Sequence, residues 1–299
     1  MNPIYRGQYP PKNTNVLWIK NNQIYIYQNG GWNSVSGSGG EAEETLSETS
    51  ENLIKNKAVY NQYMDDEDTN DILDTLDLDP NLRKPLTFEV TQGVNTTISW
   101  GNSVAIKYNK NDEGWTTLQR NSTIPVSTGD VVQFMGNLDL RTMNSNPGFA
   151  NTGCHYKVSG NIMSLIGGEN FASLKTMGNS KFESLFQQTT VEDAFDLCLP
   201  ATTLSEQCYS KMFYGCTSLQ RAPKVLPATT LTNYCYAFMF YNCSHLSRIK
   251  CLAIDISASD CLTNWLNSAP STGTFIKKAE VTFPEGDSGI PTGWTIKNV

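Results

Sequence analysis

Eight cysteines are the residues of this chain best suited to chemistry: Cys154, Cys198, Cys208, Cys216, Cys235, Cys243, Cys251 and Cys261. A zinc site would show the short Cys-x₂-Cys pair, and none is present. An even count also fits disulfides. Yet 299 residues can fold without them, and Met1 to Pro11 carries no charged leader ahead of an apolar run to send the chain into an oxidising compartment. The expectation is therefore of reduced thiols that pack as small apolar side chains. Only two histidines accompany them. His155 directly follows Cys154, and nucleophile and base are rarely sequence neighbours. No G-x-S-x-G, P-loop, dinucleotide fingerprint or H-E-x-x-H occurs. The chain reads as not an enzyme, with no catalytic residues and no cofactor. A glycosidase-like depolymerase is the enzymatic alternative, since any two acids held at a defined separation can do that chemistry.

Carboxylates concentrate between residues 41 and 79. Asp66, Asp68, Asn70, Asp74 and Asp77 fall at positions 1, 3, 5, 9 and 12 of a calcium loop, with Leu73 at position 8. Position 6 demands Gly and holds Asp71, and position 12 is Asp rather than the bidentate Glu. Asp66, Asp68 and Asn70 thus make a weak calcium candidate beside the plainer reading of a solvated acidic segment. The formal net charge is -7 and the pI about 4.9, a balance that repels phosphate backbones and excludes nucleic acid as a favoured partner. No run approaches the ~20 apolar residues of a membrane span.

The elements that would position any site divide the chain into four parts. Residues 1–36 form a small β module. Val16-Leu17-Trp18-Ile19, then Ile24-Tyr25-Ile26-Tyr27, then Trp32 read as a three-stranded meander broken by Asn21-Asn22 and Asn29-Gly30-Gly31. So small a piece cannot bury a core and needs a partner surface. Residues 37–84 open with the flexible linker Ser36-Gly37-Ser38-Gly39-Gly40 and continue as an acidic, partly helical stalk. Leu46, Leu53 and Tyr60 keep heptad spacing there, but Ser50, Lys57 and Met64 make a poor opposing seam. Residues 85–165 read as a β-sandwich. Short alternating runs such as Leu86-Thr87-Phe88-Glu89-Val90 and Val131-Val132-Gln133-Phe134 are separated by polar turns, and Asn161-Ile162-Met163-Ser164-Leu165 is the expected last strand.

Residues 166–299 hold an internal repeat. Residues 199–225 and 226–252 align without gaps and share 14 of 27 positions. The repeated apolar positions are Leu204, Cys208, Met212, Phe213, Cys216 and Leu219, matched by Leu231, Cys235, Met239, Phe240, Cys243 and Leu246. A fainter copy precedes them (Phe182, Leu185, Phe186) and a degenerate one follows (Cys261, Leu262, Trp265, Leu266). Stacked copies would lay these residues into ladders through one core. The spacing of Cys208, Met212 and Cys216 predicts a short helix in each copy, followed by an extended segment. Tyr209, Tyr214, Tyr236 and Tyr241 are expected to serve binding if they reach the surface.

This unit resembles the leucine-rich repeats of the BspA-like class, found on bacterial surface proteins and in phages of gut Bacteroidetes. The likeness rests on Leu-Pro-Ala-Thr-Thr-Leu, the Cys-Tyr…Met-Phe-Tyr-x-Cys stretch, Thr217-Ser218-Leu219, and the ending Gly289-Ile290-Pro291-Thr292-Gly293-Trp294-Thr295. The period is longer than is common in that class. Tyr5-Arg6-Gly7 and the Trp18-Ile19…Gly30-Gly31-Trp32 pattern look like the short virion-docking segments of crAss-like phage fibre proteins. That resemblance implies docking through Tyr5, Trp18, Ile19, Tyr25, Tyr27 and Trp32. It implies a virion location after synthesis in a host cytoplasm, a homotrimer, and partners among capsid or tail proteins. Recognition of a host-surface polysaccharide or protein would fall to the C-terminal domains. The expected architecture is multi-domain and mainly β with short helices: β anchor, partly helical stalk, β-sandwich, and leucine-rich-repeat-like solenoid. A capsid decoration protein without host binding and a bacterial surface adhesin are the alternatives.

Overall fold

The computed structural model describes residues 79–136 and 148–299, and the backbone of four strands between residues 4 and 34. The chain divides into two units, Met1–Asp79 and Pro80–Val299. It is mainly β, with one short α-helix among the described residues. The first unit holds β1 (Ile4–Arg6), β2 (Leu17–Lys20), β3 (Gln23–Gln28) and β4 (Gly31–Ser34) in that spatial order. β2, β3 and β4 form the expected antiparallel meander, and β1 adds a fourth strand parallel to β2. The Gly/Ser linker, the acidic segment with its heptad positions, and the calcium candidate Asp66, Asp68 and Asn70 lie outside the described residues.

In the second unit, residues 86–161 supply eight strands: β5 (Leu86–Gln92), β6 (Thr96–Trp100), β7 (Ile106–Lys110), β8 (Trp115–Leu118), β9 (Thr123–Val126), β10 (Val131–Met135), β11 (Phe149–Thr152) and β12 (His155–Asn161). The alternation seen in sequence becomes burial. Leu86, Phe88 and Val90 of β5 face inward, as do Val132 and Phe134 of β10. Asn111 and Asp112 take positive φ (50° and 59°), the backbone of a tight hairpin turn joining β7 to β8. β11, β6 and β9 form a three-stranded sheet, while β5, β10, β7, β8 and β12 belong to a larger one. Rings from both meet in one core: Phe88 lies 4.8 Å from Phe134 and from Phe149, and Phe149 lies 4.9 Å from Trp100.

β12 is where the expected strand Asn161–Leu165 fails. The strand ends at Asn161, and Ser164–Gly167 is the short helix α1. Ile162, Met163, Ser164 and Leu165 are all buried in succession, which a two-residue alternation cannot achieve. Polar side chains enforce the bend. The Asn161 amide donates to Leu82 O at 2.9 Å and its oxygen accepts the Met163 amide. Ser164 Oγ donates to Phe134 O and accepts the Leu86 amide. Gly160 is required just before: its φ is 80°, and a Cβ there would meet Pro85 O at 2.1 Å.

β12 also joins the sheets to the repeat. It pairs antiparallel with β5 and parallel with β13 (Val191–Asp193) and β14 (Leu197–Cys198), so the large sheet runs on into the first copy. Parallel bridges then step from copy to copy: Asp193 to Arg221, and Thr176 to Thr203 to Thr230 to Asp255. The series closes on a parallel sheet of β15 (Arg248–Cys251), β16 (Thr274–Lys277) and β17 (Thr295–Asn298).

The Cys-Tyr…Met-Phe-Tyr-x-Cys stretch is not the short helix that its spacing predicted. It is a run of turns. Gln207, Lys211 and Gly215 have φ of 58°, 55° and 72°. A left-handed residue at every fourth position cannot belong to a right-handed helix. The amides of Cys208, Met212 and Cys216 close turns onto Ser205, Tyr209 and Phe213 carbonyls. The alternate amides of Tyr209, Lys211 and Phe213 donate across to Cys235, Ala237 and Met239 carbonyls of the next copy. The same positive φ recurs at Ser180, Ser184 and Gln188, at Tyr234, Phe238 and Asn242, and at Asp260, Asn264 and Ser268. The faint and degenerate copies therefore share the backbone of the two clear ones.

Candidate functional site

The twelve repeat-core positions, Leu204 to Leu219 and Leu231 to Leu246, are all buried. Their rings pile up from copy to copy: Phe186, Phe213 and Phe240 at centroid distances of 5.2 and 5.5 Å, and Phe182, Tyr209 and Tyr236 at 5.9 and 6.1 Å. Tyr209 and Tyr236 are thus core residues, which removes them from the expected binding set. All eight cysteines are free thiols. Cys216 Sγ donates to Phe186 O at 2.9 Å, and Cys243 Sγ to Phe213 O at 3.1 Å, each reaching the preceding copy. Burial pushes the thiols of Cys216, Cys235 and Cys251 up to about 12 and raises Cys208 and Cys243 as well. Thiols held protonated in this way are poor nucleophiles and poor ligands at neutral pH. No group of His, Cys, Asp and Glu side chains able to hold a metal occurs among the described residues, nor a helix long and apolar enough to cross a membrane.

His155 and Glu192 meet at the seam between β12 and β13. The Glu192 carboxylate lies 3.0 Å from His155 Nδ1 and accepts the Thr91 hydroxyl at 2.8 Å. This ties β5, β12 and β13 together. His245 is exposed, with Nδ1 2.6 Å from Thr217 O. Arg221 sits 5.0 Å over the Phe195 ring and donates to Asp193.

The feature that packing leaves unexplained is on the turn face. Tyr214 and Tyr241 stack at 4.7 Å with an interplanar angle of 4°, and both are half-buried. Phe238, also half-buried, stands 6.0 Å from Tyr241 at 55°. Tyr234, 38% exposed, lies one turn away, its hydroxyl raised above its ordinary value by a hydrogen bond to Asp260 and by that carboxylate's charge. Tyr214 and Tyr241 are two of the four tyrosines singled out in the sequence. Phe238 and Tyr234 were not. A sharper comparison of the copies finds them, because they align with Lys211 and Gln207 in the copy before.

The residues expected from the sequence to dock, Tyr5, Trp18, Ile19, Tyr25, Tyr27 and Trp32, lie in the strands of the first unit. Register sets Tyr5 opposite Trp18, Trp18 opposite Tyr25, and Tyr27 opposite Trp32. Strand residues two apart share a face, so these five positions fall on one face of the sheet, and Ile19, opposite Ile24, falls on the other. Comparison of the chain with protein-family models, with curated proteins and with solved structures gave no match.

Proposed function

We propose that the chain is a non-enzymatic structural and adhesive subunit of a phage virion, a fibre held at its N-terminus and recognising a host-surface molecule, best a glycan, through residues 80–299. In this reading residues 85–165 are a β-sandwich and residues 166–299 a BspA-like leucine-rich-repeat solenoid. Tyr5, Trp18, Tyr25, Tyr27 and Trp32 dock on a capsid or tail protein, and the chain works as a homotrimer in the virion. The observation that carries it is the use made of the repeat. Four copies commit their repeated apolar residues to one continuous core, and the turn face of the copy of residues 226–252 carries a cluster of half-buried and exposed aromatic rings. Small β modules that cannot bury their own core need a partner, which suits an anchor.

Light scattering on the full-length chain and on a truncation starting at Asn81 tests the assembly. Trimers in both support the fibre, with the C-terminal unit carrying the assembly. Monomers in both remove it. Fluorescently labelled full-length protein is expected to adhere to cells of gut Bacteroidetes, and adhesion to none of them removes the recognition role.

A further inference from the structure

The four copies share one backbone, so each turn position can be compared with its equivalents as in a mutation series. At the first left-handed position the copies hold Ser180, Gln207, Tyr234 and Asp260. At the second they hold Ser184, Lys211, Phe238 and Asn264. The residue three further on is Gln187, Tyr214, Tyr241 or Asn267. In the flanking copies these positions hold polar side chains apart from Tyr214, with Ser180 and Ser184 buried, and the copy of residues 226–252 alone holds aromatics at all three. Two of those replacements are unfavourable twice over. Phe238 and Tyr234 keep φ of 56°, where bulky residues are rare, and Tyr234 is exposed while Phe238 is only half-buried. Neither penalty is offset by the core, since the ladder's inward positions are already filled by Cys235, Tyr236, Met239 and Phe240.

We propose that Phe238, Tyr241 and Tyr214 form a saccharide subsite for a neutral pyranose of the host-surface glycan, with Tyr234 at its margin. This rests on the proposed recognition role and places it on the turn face. The stacked pair and the Phe238 ring, tilted at 55° to Tyr241, gather three half-buried rings at one place on the turn face, a corner of aromatic surface. The C–H face of a pyranose packs against such a surface by dispersion and by attraction to the ring's negative face, while its hydroxyls need amide and hydroxyl partners. Such groups occupy the same or adjacent turn positions: the tyrosine hydroxyls, the exposed Asn242, and Gln187 and Asn264, half-buried, at the equivalent positions of other copies. An apolar partner would leave these amides dry, and an anionic one would find Lys211 as the only cation in the second-position column.

The test uses full-length chain on an array of neutral and acidic pyranose oligosaccharides, followed by titration with the best neutral ligand. Phe238→Asn and Tyr241→Asn install the residue type of the next copy, so the fold tolerates them, and Asn relieves the left-handed position. Each is expected to weaken binding at least about tenfold while mass and circular dichroism stay unchanged, and Phe238→Asn is expected to melt no lower than the parent. Trp115→Ala, an exposed aromatic on strand β8 outside the repeat, should bind as the parent does. Parent-like glycan binding by both Asn variants overturns this site and leaves the recognition role standing. Adhesion to cells that the variants abolish, with no glycan bound on the array, keeps the site and overturns the saccharide. Absence of both glycan binding and cell adhesion overturns the site and the recognition role together.

Discussion

Cys216 and Cys243 show what a thiol does in this chain that a methyl group could not. Each fills a buried slot of the ladder and donates to a carbonyl of the preceding copy, to Phe186 O and Phe213 O. Cys216→Ala removes a sulfur and a hydrogen bond together, and is expected to cost about 1–3 kcal/mol in urea unfolding, Cys243→Ala about the same. The thiols also write a pH dependence into the fold. Their folded values are raised, to about 12 for Cys216, Cys235 and Cys251, above an ordinary value of 9.0. For a group that is neutral when protonated, a raised folded value means that the native state holds its proton more tightly than the unfolded chain does. That stability is complete below the unfolded value and is lost as pH rises from there towards 12. Urea midpoints should therefore be flat from pH 7 to 8 and fall between pH 9 and 11, with a steepness of about 1.4 kcal/mol per pH unit for each thiol involved. Cys216→Ala should shallow that slope. A midpoint independent of pH up to 11 would mean that the thiols reach solvent.

The element that sequence reasoning misjudged is the stretch from Cys208 to Cys216. Its apolar residues recur every four positions, which fits a helix face, and no Gly or Pro interrupts the copy of residues 226–252 from Leu231 to Cys243 to warn of anything else. The physical difference lies in where the amides go. A helix would satisfy them within one copy, whereas here every second amide crosses to the next copy, an arrangement that exists only once the copies are stacked. The clue was in the residues between: Ser184, Lys211, Phe238 and Asn264 share one backbone conformation while differing in size, charge and polarity, so the ladder does not prescribe their side chains as it does those of the core. Lys211→Gly separates the two readings. In a helix interior it would cost about 1 kcal/mol. At φ of 55° it removes a steric penalty and is expected to stabilise by about 0.5–1 kcal/mol, read as a higher urea midpoint at constant slope. The strands from β5 to β12 were easier to foresee, since alternation and polar turns act locally. The bend after Asn161 was not, because it depends on Leu82, Phe134 and Leu86, far away in sequence.

At the scale of the second unit, the question is whether residues 80–299 behave as one cooperative body or as a β-sheet half with a repeat array attached. The sequence suggests two domains meeting near residue 165, since composition and periodicity both change there. The core crosses that line. Phe186, from the first copy, lies 5.8 Å from Phe88 and 6.0 Å from Phe149 on one side, and 5.2 Å from Phe213 on the other. The backbone crosses it too, through the pairing of β12 with β13 and β14 and through the Phe149 amide, which donates to Leu185 O at 2.8 Å. Stacked repeats on their own are coupled only to their neighbours and can unravel from an end. A ring shared by both halves resists this, because the array cannot leave without opening the core of the sheets. Calorimetry of the parent should accordingly show one transition for residues 80–299, its calorimetric and van't Hoff enthalpies equal. Phe186→Ala deletes the shared ring and is expected to cost about 3–5 kcal/mol. Coupling predicts that this cost lowers the single transition as a whole. Two resolved transitions in the parent, or a variant in which only one of two transitions moves, would mean that the halves fold separately and that the contact at Phe186 is an interface between domains rather than part of one core.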